Sequence, residues 1–212
     1  LDECCYGARL KRISNDELFS TKDDKPFHVS SIGSFIPYFQ PYQRWRNDGL
    51  QAIRDELEKD RDIIAVSLDL KSYYHFIDPT AVIGDALLAA LELELSDSEL
   101  EFTAQLAHLL KKWADGATTF GKKVADKRSN ISGGLVIGLT CSRIISNALL
   151  HKWDKQVLEQ LSPIHYGRYV DDMFIVLRDT GAVSNNLELM QLLQARMGKD
   201  YIFQDASDPQ VW

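Results

Sequence analysis

The stretch Tyr166–Leu177 reads YGRYVDDMFIVL. Two adjacent aspartates, Asp171 and Asp172, sit between two apolar, β-rich runs at 164–170 and 173–177. Short runs rich in Tyr, Val, Ile and Phe read as strands. So tight a separation reads as a hairpin, although the glycine usual in such a turn is missing. Asp-Asp is ordinary turn chemistry. It is also chemistry suited to a cation site, and the stretch alone does not decide between the two.

Upstream, IIAVSLDL (63–70) is β-branched and almost continuously apolar, which predicts a buried central strand ending at Asp69. If that strand lies beside the hairpin, Asp69 faces the Asp171-Asp172 tip. Carboxylates crowded together repel, and some stay protonated unless a cation joins them. Hard divalent ions take oxygen ligands, and Mg²⁺ combines one or two carboxylates with substrate phosphates. A pair of such ions clamps the attacking and leaving oxygens of a displacement.

The flanking segments read as helices, with one basic loop between them. Residues 48–62 form a helix capped by Asp48, with Leu50, Ile53 and Leu57 at helical spacing. Asp78-Pro79 is an N-cap and first-position pair. Ser96 with Glu99 is a capping box for a helix whose core stripe is Leu100, Leu106, Leu110 and Trp113, with Gly116 as its stop. Segment 121–134 reads as a basic loop or hairpin. Residues 140–161 predict a long helix ending before Pro163. Residues 185–198 predict an amphipathic helix closed by Gly198, and a further strand begins at 201.

With 212 residues, 45% of them hydrophobic, and 6 prolines, the chain holds enough apolar surface for a real core. No apolar run approaches the ~20 residues of a membrane helix. There is no signal-peptide pattern at the start, and the opening Leu1 reads as a piece cut from something longer. Three cysteines (Cys4, Cys5, Cys141) without C-x-x-C spacing read as reduced thiols and give a cytoplasmic expectation. The net charge of −7 argues against a surface coated by nucleic acid. Base is nevertheless concentrated at 42–47 and 121–130, and a channel needs only local positive potential.

Three further features accompany the hairpin: SLDLKSYYHFI (67–77), with Tyr74 five positions after Asp69; GLVIGLTCSRIISNALL (134–150), a glycine turn entering a helix with Ser142 and Asn147; and their order ahead of the Asp-Asp pair. This set, in this order over about residues 60–205, resembles the palm of reverse transcriptases. Tyr169-Val170-Asp171-Asp172 matches the family's most recognisable motif. Gly134, Gly138, Ser142 and Asn147 match its glycine-serine-asparagine frame. Where the family usually has Pro-Gln this chain has Val136-Ile137. No Arg-Pro-Leu segment is evident, and no lysine stands where a proton donor to pyrophosphate is often found. The nearest likeness is to the divergent bacterial reverse transcriptases of phage defence, the abortive-infection and unknown-group types.

The resemblance implies an α+β polymerase palm, an antiparallel sheet with helices on one face, plus partial fingers and no visible thumb. It divides the chain into a fingers-like region 1–62, a palm 63–205 with inserted finger elements around 97–134, and the start of a truncated part at 206–212. It implies RNA-directed DNA synthesis from dNTPs with two Mg²⁺ ions, or Mn²⁺, in antiviral defence. An RNA template and a DNA primer are implied partners, with a non-coding RNA or a further subunit possible and no membrane. Asp69 and Asp171 would ligate the ions with the Leu70 carbonyl, and Asp172 would support them. Tyr74 would gate the sugar, and Gly138 and Ser142 would lie against the nucleotide. Tyr169 and Asn147 would lie near the primer, packing being the alternative for each. Arg44 and Arg46 are candidates to grip a triphosphate, with Trp45 stacking on a base. Lys122, Lys123, Lys127 and Arg128 could follow a nucleic-acid backbone, a solvated surface being the alternative for both basic groups. Rival readings are untemplated or protein-primed synthesis, RNA synthesis, and a catalytically silent palm that only binds.

Overall fold

In the computed structural model, residues 4–8, 12–13, 27–28, 35–124 and 133–205 are described. In chain order the elements are β1 (Arg12–Ile13), β2 (Phe27–His28), α1 (Phe39–Leu57), β3 (Ile63–Asp69), α2 (Tyr73–Phe76), a 3₁₀ turn (Pro79–Ile83), α3 (Asp85–Ala90), α4 (Asp97–Val124), α5 (Thr140–Leu149), α6 (His151–Gln156) running into a π-helical stretch (Val157–Leu161), β4 (His165–Tyr169), β5 (Asp172–Arg178) and α7 (Asn186–Met197). β1 and β2 pair with each other in antiparallel fashion. The fold is α+β. Among the described residues two compact units are present, one drawing on 4–8, 35–69 and 152–205, the other on 70–124 and 133–151.

In the first unit the strand order is β3-β5-β4, antiparallel throughout. β5 is therefore the central strand, and the expectation of a central β3 is corrected. β3 lies at an edge, where only Val66 is fully buried. Its nearly continuous apolar run resembles a central strand, yet the most deeply buried apolar residues of the sheet are Met173, Ile175 and Val176 of β5. Beyond β4, residues 4–6 add a short parallel rung: Arg168 N–H donates to the Cys4 carbonyl at 2.7 Å and Tyr6 N–H to the Arg168 carbonyl at 2.8 Å.

Side chains alternate across a sheet, so the rung Leu68–Met173–Arg168 faces away from its neighbours Asp69–Asp172–Tyr169 and Ser67–Phe174–Gly167. α1 covers the second face. Gly49 lies directly against the Phe174 ring, and no larger residue fits there. Trp45 Nε1 donates to the Gly167 carbonyl at 2.9 Å. On the opposite face, Asp154 of α6 takes hydrogen bonds from Tyr166 and Arg168. Helices thus contact both faces of the sheet, where one face was expected. α1 also begins nine residues before Asp48, so Asp48 is a mid-helix residue and not a cap. Pro41 falls in the first turn, where its missing N–H is harmless, and the helix lies in the unit that holds the sheet.

The second unit packs Ile77, Val82, Ala107, Leu110, Leu135 and Ile145 into one core. Asp78 caps the 3₁₀ turn by accepting Thr80 N–H at 2.9 Å. Glu99 reaches back to Ser96 as the capping box expects, accepting both its N–H and its hydroxyl, at 2.9 and 2.7 Å. α4 runs through Gly116 to Val124, so that glycine is no stop. The buried stripe is Ala107, Leu110, Ala114 and Gly121, while Leu100 and Trp113, expected in the core, are exposed. Back in the first unit, α7 starts where Asn185 Oδ1 accepts Glu188 N–H at 3.0 Å and closes at Gly198 as expected. The strand expected from 201 is absent over 201–205, where Ile202 is buried without β pairing.

Candidate functional site: a carboxylate rung at the hairpin tip

Asp69 ends β3, Asp172 begins β5, and the two are direct cross-strand partners. Residues opposed in an antiparallel pair project from the same face, so both carboxylates leave the sheet on one side. Tyr169 of β4 completes the rung on the other flank of Asp172. The turn between β4 and β5 is Val170-Asp171, one residue earlier than the Asp171-Asp172 turn read from sequence, which makes Asp172 a strand residue. Val170 turns with φ +61°. In a two-residue hairpin that conformation normally belongs to glycine or asparagine, and a β-branched residue there holds strain. Backbone strain of this kind clusters at functional sites.

The electrostatics follow from this crowding. Asp171 is pushed above the ordinary carboxylate range, mainly by burial and further by the charge on Asp69, with its own backbone hydrogen bond and Arg168 pulling the other way. Asp172 is also raised, by burial and then by the charges on Asp171 and Asp69. These oxygens lack enough positive charge, which suits a hard divalent cation. Among the described residues, no three His, Cys, Asp or Glu side chains form a complete ligand group as placed. The carboxylates fit part of a coordination shell, with the remaining ligands to come from water and substrate oxygens.

Tyr169 is held by α1. Its ring meets Tyr42 edge-on at 5.3 Å and lies 6.2 Å from Trp45, and its hydroxyl donates to the Tyr38 carbonyl at 3.3 Å. Trp45 is buried and bonded to Gly167, which removes it as a base-stacking platform. Arg44 and Arg46 are exposed, and Arg44 pairs with Asp48 at 3.4 Å beside the Tyr6 ring. Residues two apart on a helix diverge by about 200°, so the two guanidinium groups do not form one fork.

Sequence reading missed the anchor beneath the turn. Arg168 and Asp154 form a fully buried pair, Nε and Nη2 of the arginine donating to the carboxylate at 2.8 and 2.7 Å. The Tyr166 hydroxyl donates to the same carboxylate at 2.6 Å. Arg168 Nη1 then donates to the Val170 carbonyl at 2.8 Å. Burial lowers the Arg168 pKa, but the Asp154 hydrogen bond and charge outweigh it and hold the group protonated. A charged residue inside an apolar strand run was the available signal, because such a residue is almost never fully buried unless paired.

The second unit holds Tyr74 and the glycine-serine-asparagine frame. Leu135 N–H donates to the Tyr74 carbonyl at 2.8 Å, and Gly134 abuts the same carbonyl so closely that no Cβ fits. The Tyr74 hydroxyl lies 3.1 Å from Ser146 Oγ, and the neighbouring Tyr73 hydroxyl donates to the Ser146 carbonyl at 2.7 Å. Gly138 is exposed with φ +97°, whereas Ser142 and Asn147 are buried in α5. The Ser142 hydroxyl has no partner among the described residues. The Leu70 carbonyl, expected to join the ions, accepts Tyr73 N–H at 3.1 Å. Lys122 and Lys123 are exposed in the last turn of α4, and Lys127 and Arg128 lie outside the described residues. No helix among the described residues is long and apolar enough to cross a membrane.

No family model matches the chain, and no curated protein matches it in sequence.

Proposed function

We propose that the chain is a nucleotidyltransferase of the reverse-transcriptase type, extending a DNA strand from dNTPs on an RNA template. The observation that carries this reading is the Asp69–Asp172 rung with Asp171 in the adjoining strained turn. Residues from distant parts of the chain are brought side by side, and burial leaves two of them short of positive charge. Two Mg²⁺ or Mn²⁺ ions, when bound, would supply the positive charge that activates a 3′-hydroxyl and stabilises departing pyrophosphate. Asp69 and Asp171 would hold them, and Asp172 would keep the local field negative.

The rest of the chain positions these groups. α1 fixes Tyr169 beside Asp172. The Arg168–Asp154 pair fixes the turn. In the second unit, Tyr74 is set by the Gly134-Leu135 backbone and serves as the sugar gate in this reading. The palm architecture, a role in bacterial antiviral defence, and a structured RNA or partner subunit belong to the same proposal. The deciding experiment is incubation with Mg²⁺ and each labelled dNTP or NTP, with and without RNA, followed by sequencing of the product. Templated DNA that disappears in Asp171→Asn is the expected result. Untemplated tracts would point to a terminal-transferase relative, and no incorporation by the wild type under any of these conditions would leave a binding module.

A further inference from the structure

α4 carries a second apolar stripe that its own unit does not use. Phe102, Leu109, Trp113, Phe120 and Val124 are all exposed, from 47% at Trp113 to 67% at Phe102. At about 100° per residue they fall on one narrow line roughly 33 Å long, about 100° around the helix from the buried Ala107–Leu110–Ala114–Gly121 stripe. Phe102, Trp113 and Val124 are spaced by eleven, and so are Leu109 and Phe120. An eleven-residue period keeps such a line nearly straight. Contiguous exposed apolar surface of this extent marks an interaction site.

Three features of the stripe identify its partner. First, a twofold axis at Trp113 sets Phe102 against Val124, Leu109 against half-buried Ala117, and Phe120 against Leu106, whose other side packs on its own core. Second, charge is divided between the ends, with Asp97, Glu99 and Glu101 at the start and Lys122 and Lys123 at the finish. Third, Gly116 beside Trp113 is exposed and leaves room for a ring. We infer that α4 is a homodimer seam, two copies of this helix packing antiparallel about a twofold axis at Trp113. Antiparallel pairing sets each acidic end against the partner's basic end, while parallel pairing sets like charge on like. A twofold contact must be self-complementary, and this mirrored pattern is. Three aromatic residues per copy, with Leu109 and Val124, bring the buried area to about 1,200 Å², the lower edge of stable interfaces.

Sedimentation velocity on the chain tests the seam. The expected result is a reversible dimer of twice the 24.1 kDa chain mass, lost in Trp113→Glu with an unchanged circular dichroism spectrum. Because Trp113 meets its own copy, Trp113→Cys should form a covalent dimer on oxidation. The wild type should not, since Cys4 and Cys5 are buried and Cys141 is half-buried. Glu101→Lys should weaken the dimer, and adding Lys123→Glu should restore it. A chain that stays monomeric at about 100 µM, or a dimer insensitive to Trp113→Glu, overturns the inference. So does a monomer whose RNA affinity falls in Trp113→Glu, which would assign the stripe to nucleic acid.

Discussion

Arg168 reaches past its own strand to donate from Nη1 to the carbonyl of Val170, the residue that turns the hairpin at positive φ. The buried ion pair is thereby wired to the carboxylate turn. Removing one member of a buried pair leaves an uncompensated charge and costs about 3–5 kcal/mol. Arg168→Met is expected to lose that much by urea unfolding, and Asp154→Leu with Arg168→Met to recover most of it. Nucleotide incorporation should stay depressed in the double variant, because the turn remains untethered. Full activity there would show that the pair serves stability alone.

The turn residue makes a separate prediction. At φ +61°, a side chain crowds its own backbone by about 1–2 kcal/mol, which glycine avoids. Val170→Gly should therefore be more stable than Val170→Ala by about 1 kcal/mol. At an ordinary strand position that order is reversed. Thermal unfolding of the two variants measures it directly.

The raised Asp171 and Asp172 predict a pH dependence. In the folded chain each keeps its proton at a pH where the unfolded chain has released it. Their stabilising share is therefore complete below the ordinary carboxylate value, about pH 4, and is lost as pH rises through the raised values. Without divalent ions, Asp172→Asn should gain Tm over the wild type as pH climbs through that window, and added Mg²⁺ should narrow the difference. A pH-independent difference would show that the crowding is not electrostatic.

Gly134 meets the Tyr74 carbonyl too closely for a methyl group. Gly134→Ala must shift that backbone and should cost about 1–3 kcal/mol. If Tyr74 gates the sugar, both Gly134→Ala and Tyr74→Ala should raise ribonucleotide use relative to deoxyribonucleotide use, read as the ratio of the two kcat/KM values. An unchanged ratio in Tyr74→Ala would remove the gate.

Some local signals in the sequence were read correctly, whereas the Asp48 cap and the Gly116 stop were not. The Ser96–Glu99 contact, the Asp78 cap and the Asn185-to-Gly198 helix need only neighbours, and all three formed. The hairpin was legible to within one residue, the missing glycine having hidden where the turn falls. Features that depend on a distant partner were harder. β3 looked central because its apolar run is nearly continuous, although sheet order depends on pairings the run does not encode. The early start of α1 was obscured by Pro41, and the continuation of α4 by Gly116, two residues that usually punctuate structure. Arg168 and Asp154 could be paired only through the fold. The meeting of Asp69 with the hairpin tip was legible because both end strands, where register can unite them.

The rung that residues 4–6 add beside β4 has a practical side. It occupies the amide and carbonyl of Arg168, which would otherwise stand open on the β4 edge for another polypeptide to join. Trimming those residues, or fusing a bulky tag against them, would bare that edge, and such bared edges seed aggregation. Solubility trials on N-terminal variants should therefore show a sharp loss once Cys4–Tyr6 is gone, well before any element of the carboxylate site is touched.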